Sequence, residues 1–290
     1  MTSRAMRIDA HQHYWSVAYD DYGWLQPTAA LRPIHRDFAP HDLRPWLDRA
    51  GIDATVLVQA APSEAETQRL LGCAAQPASR VAGVVGWCDL LQPRAPERIE
   101  QLARESPLLK GLRPMLQDLP DPRWVLQPQL RPALRAMVDH GLVFDALVKG
   151  DAQLQALCEF APAHPALTIV LDHAGKPPIA TGPIDRWAAA IALLAQLPNV
   201  WCKLSGLITE AGADWSAARL QPWVDVLVDR FGPRRLIWGS DWPVLNLAGD
   251  YAAWWQASEQ LLRTLAAAER DAVFGLNAVR CYRLPAPPTR

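Results

Sequence analysis

No stretch of the 290 residues approaches the roughly 20 consecutive apolar residues that a membrane-spanning helix requires. The segment Met1–Arg7 carries no apolar leader, and the expectation is a cytoplasmic protein. Lys- or Arg-rich runs are also missing, and the formal net charge is −1, so neither nucleic acid nor an anionic membrane surface is an expected partner. Cysteine is sparse: five residues (Cys73, Cys88, Cys158, Cys202, Cys281), odd in number, widely spaced and without a C-x-x-C pair. That pattern argues against a disulfide framework and a thiolate zinc site, and leaves each cysteine as a small apolar residue. There is no G-x-S-x-G elbow, no phosphate-cradling G-x-x-x-x-G-K-[ST] loop and no G-x-G-x-x-G fingerprint. Serine-hydrolase, nucleotide and nicotinamide chemistry are therefore not expected.

What the chain does have is a regular alternation of short apolar runs with helix-period segments. The runs are Arg7–His13, Ala54–Ala60, Val81–Leu90, Lys110–Leu116, Leu142–Val148, Leu167–His173, Val200–Leu204 and Leu236–Trp242. All are short, rich in aliphatic residues and bounded by Gly, Pro, Asp or Asn, as parallel strands buried on both faces should be. Between them, Ser63–Glu66 reads as a capping box, Asp151 as an N-cap and Gly141 as the residue closing the helix Gln129–His140. Helices are expected over Glu97–Glu105, Ile184–Leu197, Ser216–Phe231 and Tyr251–Leu265. Eight strands, each followed by a helix, in a chain slightly longer than the ~250 residues typical of such folds, predict a single-domain α/β protein spanning residues 1–290, a (β/α)₈ TIM-like barrel. One segment breaks the rhythm. Tyr14–His41 is aromatic, charged and aperiodic, and a loop of about 28 residues after a first barrel strand reads as a lid over the active-site mouth. A Pro-rich tail follows from Pro285.

Catalytic groups of barrels come from the C-terminal ends of several strands, and nearly every apolar run here carries a polar residue near its end. In order these are His11 and His13, Gln59, Asp89, Arg113, Asp145, His173, Lys203 with Ser205, and Asp241. Buried charge is costly without partners, so a ring of such groups points to a shared polar cavity. Residues two apart on a strand share a face, which puts Asp9, His11 and His13 on one side. Two imidazoles so placed can bind one metal ion or one substrate oxygen. His173 can supply a third; Asp172 falls on the opposite face if the strand stays regular, and unless the chain twists at this point it reads as a loop-capping carboxylate. Asp241 is the candidate general base, with an Asx turn before Pro243 as the structural alternative. Lys203, Ser205 and Arg113 can donate to substrate oxygens, and Asp145 either accepts from a hydroxyl or pairs with Arg113. Trp24 and Trp242 are candidates for lining the pocket, as against packing its rim. Lys176 reads as a loop cation and is not placed in the site.

The motifs Ile8-Asp9-Ala10-His11-Gln12-His13, Leu171-Asp172-His173-Ala174-Gly175-Lys176-Pro177, Lys203-Leu204-Ser205-Gly206 and Gly239-Ser240-Asp241-Trp242-Pro243 resemble the amidohydrolase superfamily, and within it the amidohydrolase-related branch that contains sugar lactonases. The likeness extends from Arg7 to Tyr282. It implies that His11, His13, His173 and Asp241 occupy the metal-site positions. It further implies either one Zn²⁺ or a metal-free site in which the histidines polarise the carbonyl directly; the absence of a carbamate-bearing lysine, with Lys203-Leu204-Ser205 where a further histidine is expected, argues against two metals. The implied partner is a small-molecule sugar lactone, L-fuconolactone or a close relative, hydrolysed to its sugar acid. The alternatives are a lactonase or zinc-dependent decarboxylase acting on a dicarboxylate, which would want several cationic side chains, and a non-catalytic sugar-acid-binding barrel.

Overall fold

The computed structural model describes residues 4–19, 21–76 and 78–285. Asp20 of the Tyr14–His41 segment and residues 286–290 of the Pro-rich tail lie outside them. The first half of the chain runs β1 (Ile8–Gln12), α1 (Pro40–Ala50), β2 (Ala54–Val58), α2 (Glu64–Ala74), β3 (Val81–Gly86), α3 (Ala95–Glu105), β4 (Leu109–Leu112) and α4 (Arg131–Asp139). The second half runs β5 (Val143–Ala146), α5 (Gly150–Ala163), β6 (Ile169–Leu171), α6 (Asp185–Ala195), β7 (Val200–Leu204), α7 (Leu207–Ala211), α8 (Ala217–Phe231), β8 (Leu236–Trp238) and α9 (Tyr251–Leu261). Two short helices, α10 (Ala267–Asp271) and α11 (Asn277–Tyr282), end the fold. The eight strands pair in sequence order, all parallel. The seam between β8 and β1 is drawn together by Asp241 N donating to His11 O (2.8 Å) and His13 N donating to Trp242 O (2.7 Å). This is the expected (β/α)₈ barrel.

Strands that are apolar on both faces can only sit between a filled interior and a helical shell, and here nearly every strand residue is buried. The large tryptophans of the shell also satisfy their indole N–H groups: Trp238 donates to Ser258 Oγ (2.8 Å), Trp254 to Gly239 O (2.9 Å) and Trp187 to Ala174 O (2.7 Å). Several expected strands overrun the observed ones. The ladder stops at Gly86, Leu112 and Trp238; beyond it Arg113 and Asp241 turn into the cavity mouth, whereas Asp89 lines a groove on the flank.

Local signals fared unevenly. Ser63 Oγ accepts from Glu66 N (3.0 Å), but Glu66 does not return the bond to the cap. Its carboxylate turns inward and accepts from Ala60 N (3.0 Å) and Ala61 N (2.7 Å) instead. Gly141 takes the left-handed conformation expected after α4. Asp151 caps nothing. The cap of helix α5 lies two residues earlier, at Lys149, and Lys149 N donates to the Gln153 side chain (2.8 Å). The Tyr14–His41 segment is well packed despite its lack of period. Trp15 and Phe38 exchange backbone hydrogen bonds (3.1 and 2.9 Å), and their rings join Tyr22, Trp24 and Trp242 in an aromatic cluster.

Candidate active site

His11 lies on β1 and His13 one residue past it, with ring centroids 4.9 Å apart. Val58 O at the end of β2 sits 2.8 Å from His13 Nδ1, which places the proton there and leaves Nε2 as a lone pair. That lone pair is 3.4 Å from Asp241 Oδ1, while His11 Nε2 and His173 Nε2 are each 3.8 Å from the same oxygen. Burial pushes all three imidazoles below their ordinary pKa, His173 to about 4, so they are neutral at pH 7. Burial raises the Asp241 carboxyl, and it is positive charge among His173, His13 and His11 that brings it below the usual range.

His173 arrives by a route that strand alternation did not foresee. After β6 ends at Leu171, His173 (φ 50°), Ala174 (φ 52°), Gly175 (φ 69°) and Lys176 (φ 50°) are consecutively left-handed. Such a conformation costs roughly 1–2 kcal/mol for each residue other than glycine, and the surroundings must hold it. Trp187 binds the Ala174 carbonyl, Ser205 Oγ lies 2.9 Å from His173 Nδ1, and Gly206 makes room for the ring. A Cβ on Gly206 would come within 2.6 Å of His173 Nδ1. The turn brings Asp172 and His173 to the same centre, so Asp172 is no loop cap. It lies buried, with its oxygens 2.9 Å from Lys203 Nζ, 3.3 Å from Arg113 Nη1 and 3.5 Å from His11 Nδ1.

Below this cluster runs a column of compensated charge. Lys203 Nζ donates to Asp145 Oδ2 (2.6 Å) and lies 3.1 Å from His11 Nδ1, and Tyr282 Oη from α11 donates to Asp145 Oδ2 (2.9 Å). Burial alone would lower the Lys203 pKa, but Asp145 and Asp172 raise it above its usual value. Lys203, Asp145 and Ser205 are fully buried and none lines the cavity, which corrects the expectation that they bind substrate. Lys203 is a counter-ion behind His11, Ser205 orients His173, and Asp145 pairs with Lys203 rather than Arg113. Trp242 is likewise excluded from the pocket. It is packed between Tyr14 and Phe38 at 2% exposure.

The cavity above measures about 330 Å³. His13, Arg113, His173 and Asp241 form its floor, and Trp24, fixed by its indole N–H on Ala60 O (2.8 Å), forms part of one wall. His11 is entirely buried beneath. Arg113 also donates to Gln59 O and points Nη1 at His11 Nε2 (3.3 Å). Lys176, expected as a loop cation outside the site, lines the cavity with Gln117 and Glu210. Nothing in the sequence marked Gln117 or Glu210; only the position of Lys176, three residues after His173, hinted at its place. A larger groove of about 650 Å³ lies on the flank against α3, where Arg98 is already paired with Glu64 (2.7 Å). No histidine lines it, and the acid–base chemistry belongs to the strand-end cavity.

His11, His173 and Asp241 each offer a ligand atom within 4.8 Å of the others, a nitrogen–nitrogen–oxygen set that suits Zn²⁺. His13, expected as a fourth ligand, is not part of this grouping. The electrostatics fit a cation: within the buried cluster Arg113 and Lys203 balance Asp145 and Asp172, while Asp241 faces imidazole nitrogens. A lone pair and a carboxylate 3.4 Å apart repel unless a proton or a cation lies at their centre.

A parallel eight-stranded barrel whose strand ends gather three imidazoles, a carboxylate and a guanidinium at the foot of a cavity defines a barrel hydrolase. The chain belongs to the amidohydrolase family, which it matches over residues 8–284. It is 50% identical to an L-fucono-1,5-lactonase of Burkholderia ambifaria, over 97% of each chain. It is 39% identical to an L-fucono-1,5-lactonase of Burkholderia multivorans, over 98% of each. A crystal structure of a Burkholderia multivorans amidohydrolase with bound zinc superposes with a TM-score of 0.90 at 39% identity, over 97% of this chain and 100% of that one.

Proposed function

We propose that the protein hydrolyses a small sugar lactone, L-fucono-1,5-lactone or a close relative, to the open-chain sugar acid. The observation that carries this reading is Asp241, an ionised carboxylate at the floor of a 330 Å³ cavity with three neutral imidazoles around one of its oxygens. Asp241 takes a proton from water as the water oxygen attacks the lactone carbonyl carbon. The carbonyl electrons move onto oxygen, and on collapse the ring C–O bond breaks and Asp241 returns the proton to the leaving ring oxygen. A carboxylate held low is a weak base, so its contribution rests on position. His13, with its proton committed to Val58 O, accepts rather than donates. Arg113 therefore serves as the donor to the developing oxyanion. His11, His173 and Asp241 would hold one Zn²⁺, which supplies Lewis-acid polarisation of the carbonyl when bound. The Tyr14–His41 segment covers the cavity through Trp24 and Leu31.

A dicarboxylate substrate fits less well. Asp172 neutralises the charge of Arg113, whose Nε alone is left to donate among the described residues, Lys203 is sealed off, and Lys176 faces Glu210 (3.9 Å). The test is a proton-release assay of zinc-supplied protein over aldonolactones and dicarboxylate lactones, repeated after chelation. Turnover of L-fucono-1,5-lactone that falls on chelation is expected. Failure to hydrolyse any aldonolactone overturns the reading, and full activity after chelation removes the ion from it.

A further inference from the structure

The cavity has two chemically different walls above its floor. One is apolar, with Trp24, Leu31, Val244 and Leu247. The other presents Gln117 and Lys176, carried by the segments after β4 and β6, and Glu210, carried by α7 after β7. Lys176 Nζ donates to Gln117 Oε1 at 2.6 Å, which orients both side chains. Its distance to Glu210 Oε1 is 3.9 Å, an ion pair but too long for a hydrogen bond. Among the described residues the Glu210 carboxylate accepts no hydrogen bond, and the Gln117 amide nitrogen and two ammonium protons have no protein acceptor. Lys176 and Glu210 are both largely shielded, their side chains 19% and 23% exposed. A half-buried carboxylate and ammonium left short of contact form a gap with an acceptor on one side and a donor on the other. A hydroxyl group, which is donor and acceptor at once, satisfies both. Water could fill such a gap, but a sugar hydroxyl carried on a bound ring would fill it without further ordering cost.

We propose that Gln117, Lys176 and Glu210 are the specificity-determining residues of this cavity, a wall that selects polyhydroxylated lactones over unsubstituted ones of the same ring size. The inference rests on the lactonase reading and adds to it the part of the substrate that is recognised. None of the three is needed for the bond-making step, which Asp241 and Arg113 carry at the floor. Their removal should therefore act on the hydroxylated substrate through KM, with the reaction of a bare ring much less affected.

The experiment compares kcat and KM for L-fucono-1,5-lactone and for δ-valerolactone, which has no hydroxyls, in the wild type, Glu210→Gln and Lys176→Met. Each variant is expected to lose roughly 10- to 100-fold in kcat/KM for the sugar lactone, the scale of a charge-assisted hydrogen bond. The loss for δ-valerolactone is expected to stay under about 3-fold, the apolar wall and floor being intact. Equal losses on both substrates, or no loss on either, overturn the proposal. So does a wild type that hydrolyses δ-valerolactone and not the sugar lactone, although lactonase chemistry would survive that result. If the wild type hydrolyses neither, the lactonase reading fails, and calorimetric titration with L-fuconate tests the wall alone. Binding that either variant weakens upholds it, and absence of binding overturns it. Should Lys176→Met fail to fold, judged by its thermal transition, Glu210→Gln decides the outcome.

Discussion

The upper and lower halves of the barrel interior hold similar residues and do different things. In the lower half, Lys203 and Tyr282 each hold Asp145 at 2.6–3.0 Å, and none of the three lines the cavity. In the upper half, among the described residues, no lysine or arginine lies within salt-bridge distance of Asp241, which faces imidazole nitrogens at 3.4–3.8 Å. Both sets are buried, and apart from Tyr282 on α11 both come from strands or the turns that follow them. Buried charge that is matched atom for atom is part of the scaffold, whereas buried charge left to face lone pairs has its partner still to come. Burial and charge therefore do not separate the proposed catalytic residues from the scaffold here; the pairing of the charge does.

The comparison breaks most sharply at Asp241. Asn keeps the shape, tolerates the left-handed backbone at this position (φ 61°) and preserves the Asp241 N to His11 O bond. Asp241→Asn is expected to lose on the order of 10³-fold in kcat on a sugar lactone, with little change in the urea midpoint. Lys203→Met should do the reverse in kind. It leaves Asp145 and Asp172 buried with their shared counter-ion gone, a loss of about 3–5 kcal/mol of stability, read from equilibrium urea unfolding. Activity should fall less than with Asp241→Asn in whatever fraction remains folded. If Lys203→Met is fully stable, the division between the two halves is wrong.

The difference between the halves is also where sequence reading stopped. His11, His13, His173, Asp241 and Arg113 were legible because a polar residue at the end of an apolar run is expensive and so informative. Lys203 and Asp145 gave the same signal. Strand periodicity says which face a side chain takes, but not how far down the barrel axis it lies, which depends on the stagger of eight strands. Tyr282, which completes the lower column, lies 137 residues from Asp145 and carried no mark of its partner. The Asp172–His173 pair failed for another reason: alternation holds only while the strand continues, and four left-handed residues end it. The barrel itself was fully legible, since eight apolar runs with helical spacers admit few topologies.

Glu66 stands between the two regimes. It is buried and its Oε2 is satisfied by Ala60 N and Ala61 N, but Oε1 has no hydrogen-bond partner, and burial pushes its carboxyl up to about 7. An acid whose folded pKa exceeds its unfolded value binds protons more tightly when folded. Its contribution to stability is then full below pH ~4.5 and declines as pH rises towards 7. Unfolding free energies measured from pH 4.5 to 8 should carry a decline from this group of up to about 3 kcal/mol. Glu66→Gln, which keeps an acceptor for the two amides and cannot ionise, should flatten that part of the profile. An unchanged slope in the variant would place Glu66 with the fully compensated groups.

The smallest effect is expected at the bottom of the column, and it sharpens the contrast because it removes one contact without stranding a charge. Tyr282 Oη donates to both Asp145 oxygens, at 2.9 and 3.0 Å, while Lys203 holds Asp145 Oδ2 at 2.6 Å. Tyr282→Phe therefore leaves Asp145 with its counter-ion and keeps the ring beside Lys203, whose Nζ lies 5.4 Å from the ring centroid. A hydrogen bond to a charged group is worth ~1.5–3 kcal/mol, less here because the carboxylate keeps its cation. A loss of about 1 kcal/mol in urea unfolding is expected, with KM for the sugar lactone unchanged because nothing at this depth reaches the cavity. A change in KM without a change in stability would mean that the lower column is coupled to substrate after all, and that atom-for-atom pairing is not the property separating scaffold from site.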